Sequence, residues 1–213
     1  MKLTLYHYWR SSASWRVRWA LSHKSLDCEF VAVNLLAGEQ KSAEHVKRNP
    51  LGVVPALEIT DKHDVKFLGE SIAIMEWLEE TYPKHSFFPK DSFLKALVRQ
   101  LAEIINSGTH PLQNLQAQKY FSEDVEKRKI WAQHWIKNGF TAYEKLVAKT
   151  AGGFSVGDQI TVADICLIPQ CYNAMRNSVA LDEFPNIKRI YENSLKTDAC
   201  QKSHPDKFKP EGA

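Results

Sequence analysis

The sequence lacks the features that mark membrane, secreted and nucleic-acid-binding proteins. No apolar run in its 213 residues approaches the length that crosses a bilayer. The N-terminus MKLTLYHY does not have the charged-then-apolar order of a signal peptide. The net charge of +3 is too small to predict binding to nucleic acid. We therefore expect a cytoplasmic protein with neither a membrane nor a nucleic-acid partner.

Cysteine is scarce, and its spacing favours neither disulfides nor metal binding. The four cysteines form no C-x-x-C pair. Cys166 and Cys171 are five apart in a helical stretch, which puts them on different helix faces. We expect buried, reduced thiols, in agreement with a cytoplasmic location, and no metal site.

The hydrophobic pattern divides the chain into two domains, for which its length is sufficient. Residues 1–83 alternate between strand and helix periods. Pro83–Ser92 carries two prolines and no clear period, so we place a linker at residues 84–91. Residues 92–213 follow a helical pattern throughout and form the second predicted domain.

The first domain has the predicted order β-α-β-α-β-β-α. Its strand–helix–strand start implies a parallel pair of strands, and the later hairpin adds an antiparallel one, so the domain is α/β. The predicted elements are the strand Leu3–Tyr6, the helix Ser12–Lys24, the strand Cys28–Val33, the weak helix Ser42–Arg48, the strands Val53–Ile59 and Val65–Leu68 around the turn Asp61–Asp64, and a helix opened by Gly69-Glu70-Ser71 and ended by Pro83.

The second domain is predicted to be all helical. Its long helices are expected over Ser92–Leu115, Glu123–Thr150 and Asn186–Leu195. The segment from Gly157 to Asp164 (GDQITVAD) has Thr161 as a natural N-cap and Asp164 three residues later, which predicts a capping box. The tail KSHPDKFKPEGA is expected to be frayed.

A polar turn at the start of the first helix is the main candidate for a binding site. Arg10-Ser11-Ser12 lies between an apolar strand and a helix start, where unpaired N–H groups and the helix dipole favour an anion. An oxygen anion or a thiolate would suit this turn, and a thiolate would have to arrive on a ligand because the turn contains no cysteine. The alternative is that these serines are only N-caps.

The whole chain resembles the cytosolic glutathione transferases, which combine a thioredoxin-like domain with an all-helical one. The proline-entered strand at Val54-Pro55 and the motif G-D-x-x-T-x-A-D carry this resemblance. Within the superfamily, the octapeptide from Ser11 to Arg18 (SSASWRVR) resembles the S-S-C-S-W-R-V-R signature of the zeta class, the maleylacetoacetate isomerases. Further matches are His110-Pro111-Leu112-Gln113-Asn114 and Pro169-Gln170 followed by Arg176.

One departure from the zeta signature is Ala13, which stands where the family commonly has cysteine. The nucleophile of the family's chemistry is the glutathione thiol, so this change need not abolish it. It puts in doubt side reactions through a mixed disulfide between protein and glutathione.

The resemblance implies a glutathione site in the first domain. Val54-Pro55 would be the family's cis-proline loop, presenting Val54 backbone groups to the cysteinyl part of the peptide. Ser71 and Glu70 would bind the carboxylate and ammonium of the γ-glutamyl end, and Gln113 matches a further cofactor-binding position. Ser11 is the expected partner of the thiolate and Ser12 the second choice.

The resemblance further implies a dianionic second substrate, held by cations. Arg10 and Arg176 are the expected carboxylate ligands. His110 and Asn114, four apart on one predicted helix face, are further candidates for substrate binding. Arg16 and Arg18 are expected to form structural ion pairs.

The activity implied is glutathione-dependent cis–trans isomerisation of maleylacetoacetate to fumarylacetoacetate, in tyrosine and phenylalanine breakdown, through reversible thiolate addition to the C=C bond. The alternatives are maleylpyruvate isomerisation, general transfer of glutathione to electrophilic or α-halo acids, and a transferase-like binding protein without catalysis. A homodimer is expected by resemblance.

Overall fold

The computed structural model describes residues 1–62 and 64–211, which divide into two compact units. The first unit contains residues 1–86 together with the C-terminal residues from 198 onwards, and the second contains residues 87–197. The sequence-based ranges assigned the C-terminal residues to the helical domain. The structure differs there, because this segment packs against the first unit.

The first unit has the predicted β-α-β-α-β-β-α order. Its elements are β1 Lys2–His7, α1 Ser12–His23, β2 Glu29–Ala32, α2 Ala43–Arg48, β3 Ala56–Asp61, β4 Asp64–Leu68 and α3 Ser71–Thr81. The thioredoxin-like sheet has the strand order β2-β1-β3-β4. Strand β1 is parallel to β2 and antiparallel to β3, and β3 is antiparallel to β4. His63, in the predicted turn, lies outside the described residues.

Helix α1 supplies the largest side chains of this unit's core. Trp15, Val17 and Trp19 are almost completely buried, and α1 packs against α3. On strand β1, alternate residues Leu3 and Leu5 are buried on one face of the sheet, and Thr4, which points to the other face, is buried as well. This burial holds the N-terminus of α1 in a fixed place.

The C-terminal segment is ordered as far as Phe208, so the prediction of a frayed tail is wrong up to that residue, while residues 212 and 213 lie outside the described residues. It forms α10 Asp198–Ser203 and a 3-10 turn at Pro205–Phe208. The indole N–H of Trp15 donates to Ser203 Oγ at 3.1 Å, and the ring of Phe208 lies edge-on to Phe30. These aromatic and hydrogen-bonding contacts hold the segment against the first unit.

The second unit is entirely helical, as predicted. Its helices are α4 Ser92–Asn106, α5 His110–Gln113, α6 Leu115–Phe121, α7 Val125–Val147, α8 Val162–Arg176 and α9 Pro185–Leu195. The single helix predicted over Ser92–Leu115 is wrong, because α4 ends at Asn106. There the hydroxyls of Ser107 and Thr109 each donate at 2.8 Å to a carbonyl of the last turn, and Pro111 cannot donate a helical hydrogen bond.

The predicted capping box at the start of α8 is present. Asp164 Oδ2 accepts hydrogen bonds from the backbone N–H of Thr161 at 2.8 Å and from its hydroxyl at 2.9 Å. Asp164 Oδ1 accepts from the N–H of Ser155 at 2.7 Å. The motif therefore stabilises the fold and takes no part in the candidate site.

Within residues 1–62 and 64–211, the structure has no helix with the length and apolarity that crossing a bilayer requires. The same residues include no group of three or more His, Cys, Asp or Glu side chains arranged to hold a metal ion.

Candidate active site

Ser11 is the N-cap of α1, and its hydroxyl has a proton to donate. Ser11 Oγ accepts a hydrogen bond from the N–H of Ser14 at 3.2 Å. No acceptor for the hydroxyl proton of Ser11 is present in the described part of the chain. The first turn of α1 has no acidic residue, so the positive end of the helix dipole is not neutralised there. This turn can bind an anion through a hydroxyl and a helix start.

The turn before Ser11 is fixed by hydrogen bonds to its backbone. The N–H of Ser11 donates to Tyr8 O at 3.1 Å, and the N–H of Tyr8 donates to the buried Ser14 Oγ at 3.4 Å. Arg10 is exposed, with its guanidinium carbon 5.0 Å from the centre of the Trp9 ring. The turn thus presents one hydroxyl and one cation from a rigid backbone.

The Val54–Pro55 peptide bond is cis, as the resemblance implied, but the strand predicted from Val53 begins only at Ala56. The carbonyl of Val53 accepts two hydrogen bonds, from His45 Nε2 at 2.9 Å and from Asn49 Nδ2 at 3.0 Å. The backbone N–H and C=O of Val54 have no hydrogen-bond partner among residues 1–62 and 64–211. They form an open edge to which another extended backbone can bind.

Glu70 and Ser71 begin α3. Glu70 is exposed and has a φ of +59°, a conformation that is uncommon for residues other than glycine and is concentrated at functional sites. Ser71 is buried, and its Oγ accepts a hydrogen bond from Arg16 Nη1 at 3.3 Å. A carboxylate, a hydroxyl and a helix start therefore lie side by side.

These three segments meet at one edge of the sheet. In the antiparallel register Tyr6 of β1 lies opposite Ala56 of β3, so the residues after β1 and those before β3 share this edge. The contact between Arg16 and Ser71 brings the start of α3 to α1. A cavity of about 310 Å³ lies beside the residues that follow β1, and it is lined in part by Tyr8, Trp9 and Asn34.

The donor set suits a short peptide that carries a thiol. Ser11 and the start of α1 suit a thiolate, the edge at Val54 suits an extended backbone, and Glu70 with Ser71 suits an amino-acid end. The thiols of Cys28, Cys171 and Cys200 are poor sources of such an anion. Burial raises the pKa of Cys28 and of Cys200 to about 12 and that of Cys171 well above its ordinary value.

Comparison with known protein families agrees with this geometry. Residues 1–80 match the glutathione S-transferase N-terminal domain, and residues 109–199 match the glutathione S-transferase C-terminal domain. The chain belongs to the glutathione S-transferase family.

Its relatives within this family include maleylacetoacetate isomerases and transferases of the zeta class. Maleylacetoacetate isomerase of Dictyostelium discoideum is 45% identical over 91% of this chain and 89% of its own length. The crystal structure of maleylacetoacetate isomerase from Anaeromyxobacter dehalogenans 2CP-1, with glutathione bound in its active site, is 43% identical with a TM-score of 0.91, covering 100% of this chain and 98% of that one. A maleylpyruvate isomerase, described as a bacterial zeta-class transferase, is 36% identical with a TM-score of 0.91, covering 99% and 100%.

In the second unit of this transferase, the predicted helix face shared by His110 and Asn114 does not exist. Helix α5 ends at Gln113, and Asn114 is extended, with φ −65° and ψ 147°. Its side chain accepts a hydrogen bond from the N–H of Gln116 at 3.1 Å and so caps α6. His110 begins α5 and is half-buried.

Gln113 and Arg176 differ in their exposure. Gln113 is buried, and its side-chain amide bonds to Gln170 Oε1 at 3.5 Å and to the Asn173 amide. Arg176 is exposed in the last turn of α8. The described contacts thus tie Gln113 to α8 and leave Arg176 at the helix end.

Sequence reasoning missed three residues that hold the first unit's site in place. His45 and Asn49 bind the Val53 carbonyl, and the Asn49-Pro50-Leu51-Gly52 turn was a recognisable signal for such a role.

The third residue is Arg18. It forms no ion pair with any carboxylate of the described residues, so the ion pair expected for it is wrong. Its partners are backbone carbonyls and the ring of His7.

Proposed function

We propose that this protein is a glutathione-dependent cis–trans isomerase that converts maleylacetoacetate to fumarylacetoacetate. The observation that carries the proposal is the Ser11 turn, a helix start with a free hydroxyl proton, in a chain 45% identical to a maleylacetoacetate isomerase. Bound glutathione would supply a thiolate that adds reversibly to the substrate's C=C bond, which permits rotation before the thiolate leaves.

The residues of the first unit fit glutathione by their chemistry. Val54 offers the cysteinyl part of the peptide a backbone N–H and a C=O that bind none of the described residues, and Pro55 follows it in the same loop. Ser71 Oγ and the start of α3 receive the γ-glutamyl carboxylate, and Glu70 receives the ammonium. Gln113, in the second unit, remains a further candidate for binding glutathione.

Ser11 is the proposed donor to the thiolate, with Ser12 as second choice. A free thiol with a pKa of about 8.5 is only a few per cent ionised at pH 7. A hydroxyl hydrogen bond and the start of α1 favour the charged form. Lowering the thiol pKa by about two units corresponds to about 2.7 kcal/mol, which two charge-assisted contacts can provide.

The substrate carboxylates require cations, for which we propose Arg10 and Arg176. Both side chains are exposed. A guanidinium holds a carboxylate through two parallel hydrogen bonds, and such donors also stabilise the negative charge that develops on the substrate's carbonyl oxygen. His110 and Asn114 are proposed as weaker, polar contacts to the substrate.

Maleylpyruvate isomerisation is the second candidate function. A maleylpyruvate isomerase shares this fold with a TM-score of 0.91, and both substrates have the same maleyl end. Rates on the two substrates separate these functions. Transfer of glutathione to electrophilic or α-halo acids would use the same thiolate as a side activity.

The cellular setting is also part of the proposal. We place the protein in the cytoplasm as a homodimer, in tyrosine and phenylalanine breakdown. The free state of all four thiols supports a reducing compartment. Light scattering of the purified protein tests the dimer, and a monomer at working concentration would refute it.

The deciding experiment is isomerisation of maleylacetoacetate followed by absorbance, with and without glutathione, for the wild type and Ser11→Ala. We expect turnover that requires glutathione and falls at least ~100-fold in the variant, equivalent to about 2.7 kcal/mol. The Ser12→Ala variant is the matched comparison, with a smaller loss. Absence of wild-type turnover on maleylacetoacetate, with turnover of maleylpyruvate, would replace the first function by the second.

A further inference from the structure

We propose that Arg18 is a positioning residue. It fixes the Ser11 turn through the Tyr8 and Trp9 carbonyls and places a buried positive charge next to that turn. This inference rests on the proposed function, because its consequence is a lower pKa of the glutathione thiol bound at Ser11.

Arg18 reaches the Ser11 turn directly. Its Nη2 donates to Trp9 O at 3.0 Å and its Nη1 to Tyr8 O at 3.4 Å. The Tyr8 carbonyl also accepts the N–H of Ser11 at 3.1 Å. The same carbonyl oxygen therefore joins the guanidinium to the residue that we propose as thiolate donor.

The other side of Arg18 is held by His7 and the C-terminal segment. Arg18 Nε donates to Ser203 O at 3.1 Å, and the guanidinium carbon lies 4.6 Å from the centre of the Phe208 ring. Nη1 donates to His7 Nδ1 at 3.1 Å. An arginine can only donate, so Nδ1 of His7 is the unprotonated nitrogen. With the bonds to the Tyr8 and Trp9 carbonyls, these contacts hold the guanidinium at Nε and at both of its terminal nitrogens.

The charge of Arg18 is not neutralised by a neighbour. The side chain is 1% exposed, and no carboxylate of the described residues forms an ion pair with it. Burial lowers the pKa of Arg18 to about 9, so the guanidinium remains charged at neutral pH. An unpaired buried cation favours an anion bound nearby.

Lys24, near the other end of α1, provides the natural comparison. It is also a buried cation, but its Nζ lies 2.8 Å from Glu79 Oε2 and donates to Tyr82 O at 2.7 Å. Lys24 stabilises the same helix with a neutralised charge and no contact to the Ser11 turn. Its loss should therefore reduce stability without affecting the thiol.

The test is the pKa of the thiol in the glutathione complex, measured by ultraviolet absorbance of the thiolate during a pH titration at saturating glutathione. Calorimetry fixes the saturating concentration for each variant. We expect Arg18→Met to raise the thiol pKa by about one unit and Arg18→Lys, which keeps the charge with fewer donors, to raise it by less. Lys24→Met should leave the thiol pKa at the wild-type value despite a lower melting temperature.

A wild-type thiol pKa in Arg18→Met that is folded and binds glutathione would overturn the inference. If Arg18→Met does not fold, Arg18→Gln, which keeps a polar side chain without the charge, decides, since a thiol pKa equal to that of the wild type would reject the role of the guanidinium. An equal rise in Lys24→Met would also reject it, by showing a general effect of stability. Failure of the proposed function is distinguishable, because the wild type itself would then show no thiolate or no turnover.

Discussion

Ser11 Oγ lies 3.2 Å from the N–H of Ser14, so the proposed thiolate donor is also the N-cap of α1. Replacement of Ser11 by alanine therefore removes two functions at once. We expect Ser11→Ala to lower the free energy of unfolding by about 1 kcal/mol in addition to the loss of turnover. Urea unfolding measures the first effect and the isomerase assay the second.

Ser11→Asn separates the two effects, because asparagine is a good N-cap but has no hydroxyl. It should restore the stability of α1 without restoring turnover. Asp124→Ala is the matched control, since Asp124 caps α7 by accepting the N–H of Glu126 at 2.8 Å. It should lose similar stability with full turnover. Full turnover in Ser11→Asn would show that the cap, not the hydroxyl, is what the reaction needs.

His7 makes the stability of the protein sensitive to acid. Burial, and then Arg18, lowers the pKa of His7 from 6.5 to about 3. Between these values the unfolded state binds more protons, so the stabilisation is complete above about pH 6.5 and is lost as the pH falls towards 3. From about pH 7.5 to about pH 5, this residue should lower the free energy of unfolding by about 2 kcal/mol.

His7→Gln should flatten this part of the pH profile, which urea unfolding at both pH values measures. His23, whose pKa burial lowers to about 4, titrates in the same direction and will leave part of the slope. His134→Gln, at an exposed position, serves as control. A slope in His7→Gln as steep as in the wild type would contradict the assignment.

Asn49 is expected to support glutathione binding without touching the ligand. With His45 it holds the Val53 carbonyl, and this fixes the peptide that presents the N–H of Val54. Asn49→Ala should weaken glutathione binding about 10-fold, equivalent to about 1.4 kcal/mol, with a smaller change in kcat at saturation. Calorimetry measures the Kd, and Asn193→Ala, which loses a bond to Gly153 O in the second unit, should bind normally. An unchanged Kd in Asn49→Ala would remove this residue from the site.

Asp164 is expected to be the most sensitive acidic residue for folding. Its carboxylate is fully buried and accepts the N–H groups of Ser155 and Thr161. Asp164→Ala should cost about 3 kcal/mol, since two buried donors lose their acceptor at about 1–3 kcal/mol each. Asp158→Ala, at an exposed position where Asp158 accepts the N–H of Gly153, should cost less. Urea unfolding measures the free energy of unfolding of both variants. Equal losses would contradict the prediction that the buried capping box contributes more stability than the exposed contact of Asp158.

Local patterns in the sequence predicted the strands and the capping box because the interacting residues are close in the chain. Thr161 and Asp164 are three positions apart, and the alternation of Leu3 and Leu5 is visible without a structure. The sequence pattern did not predict the end of α4 at Asn106, because apolar residues continue at helical spacing beyond Gly108 and Pro111. That error also placed His110 and Asn114 on a helix face that does not form.

The contacts of Arg18 could not be predicted in the same way. Its acceptor at Ser203 is 185 positions away, and a basic residue in a helix ordinarily suggests an exposed ion pair. The order of the C-terminal segment depends on that same distant contact and on Phe208. Such residues are recognisable only when the fold shows what their donors reach.

Ala13 and the high thiol pKa values together predict resistance to thiol reagents. Cys28 and Cys200 have a pKa raised to about 12, and burial raises that of Cys171 well above its ordinary value. Thiols react as thiolates, so the wild type should keep its turnover after treatment with iodoacetamide at neutral pH.

Ala13→Cys places a thiol in the first turn of α1, where the helix dipole lowers its pKa. This variant should be alkylated at residue 13 and lose turnover, and glutathione should protect it. Mass spectrometry identifies the modified residue, and rapid inactivation of the wild type would show that one of its four cysteines is reactive after all.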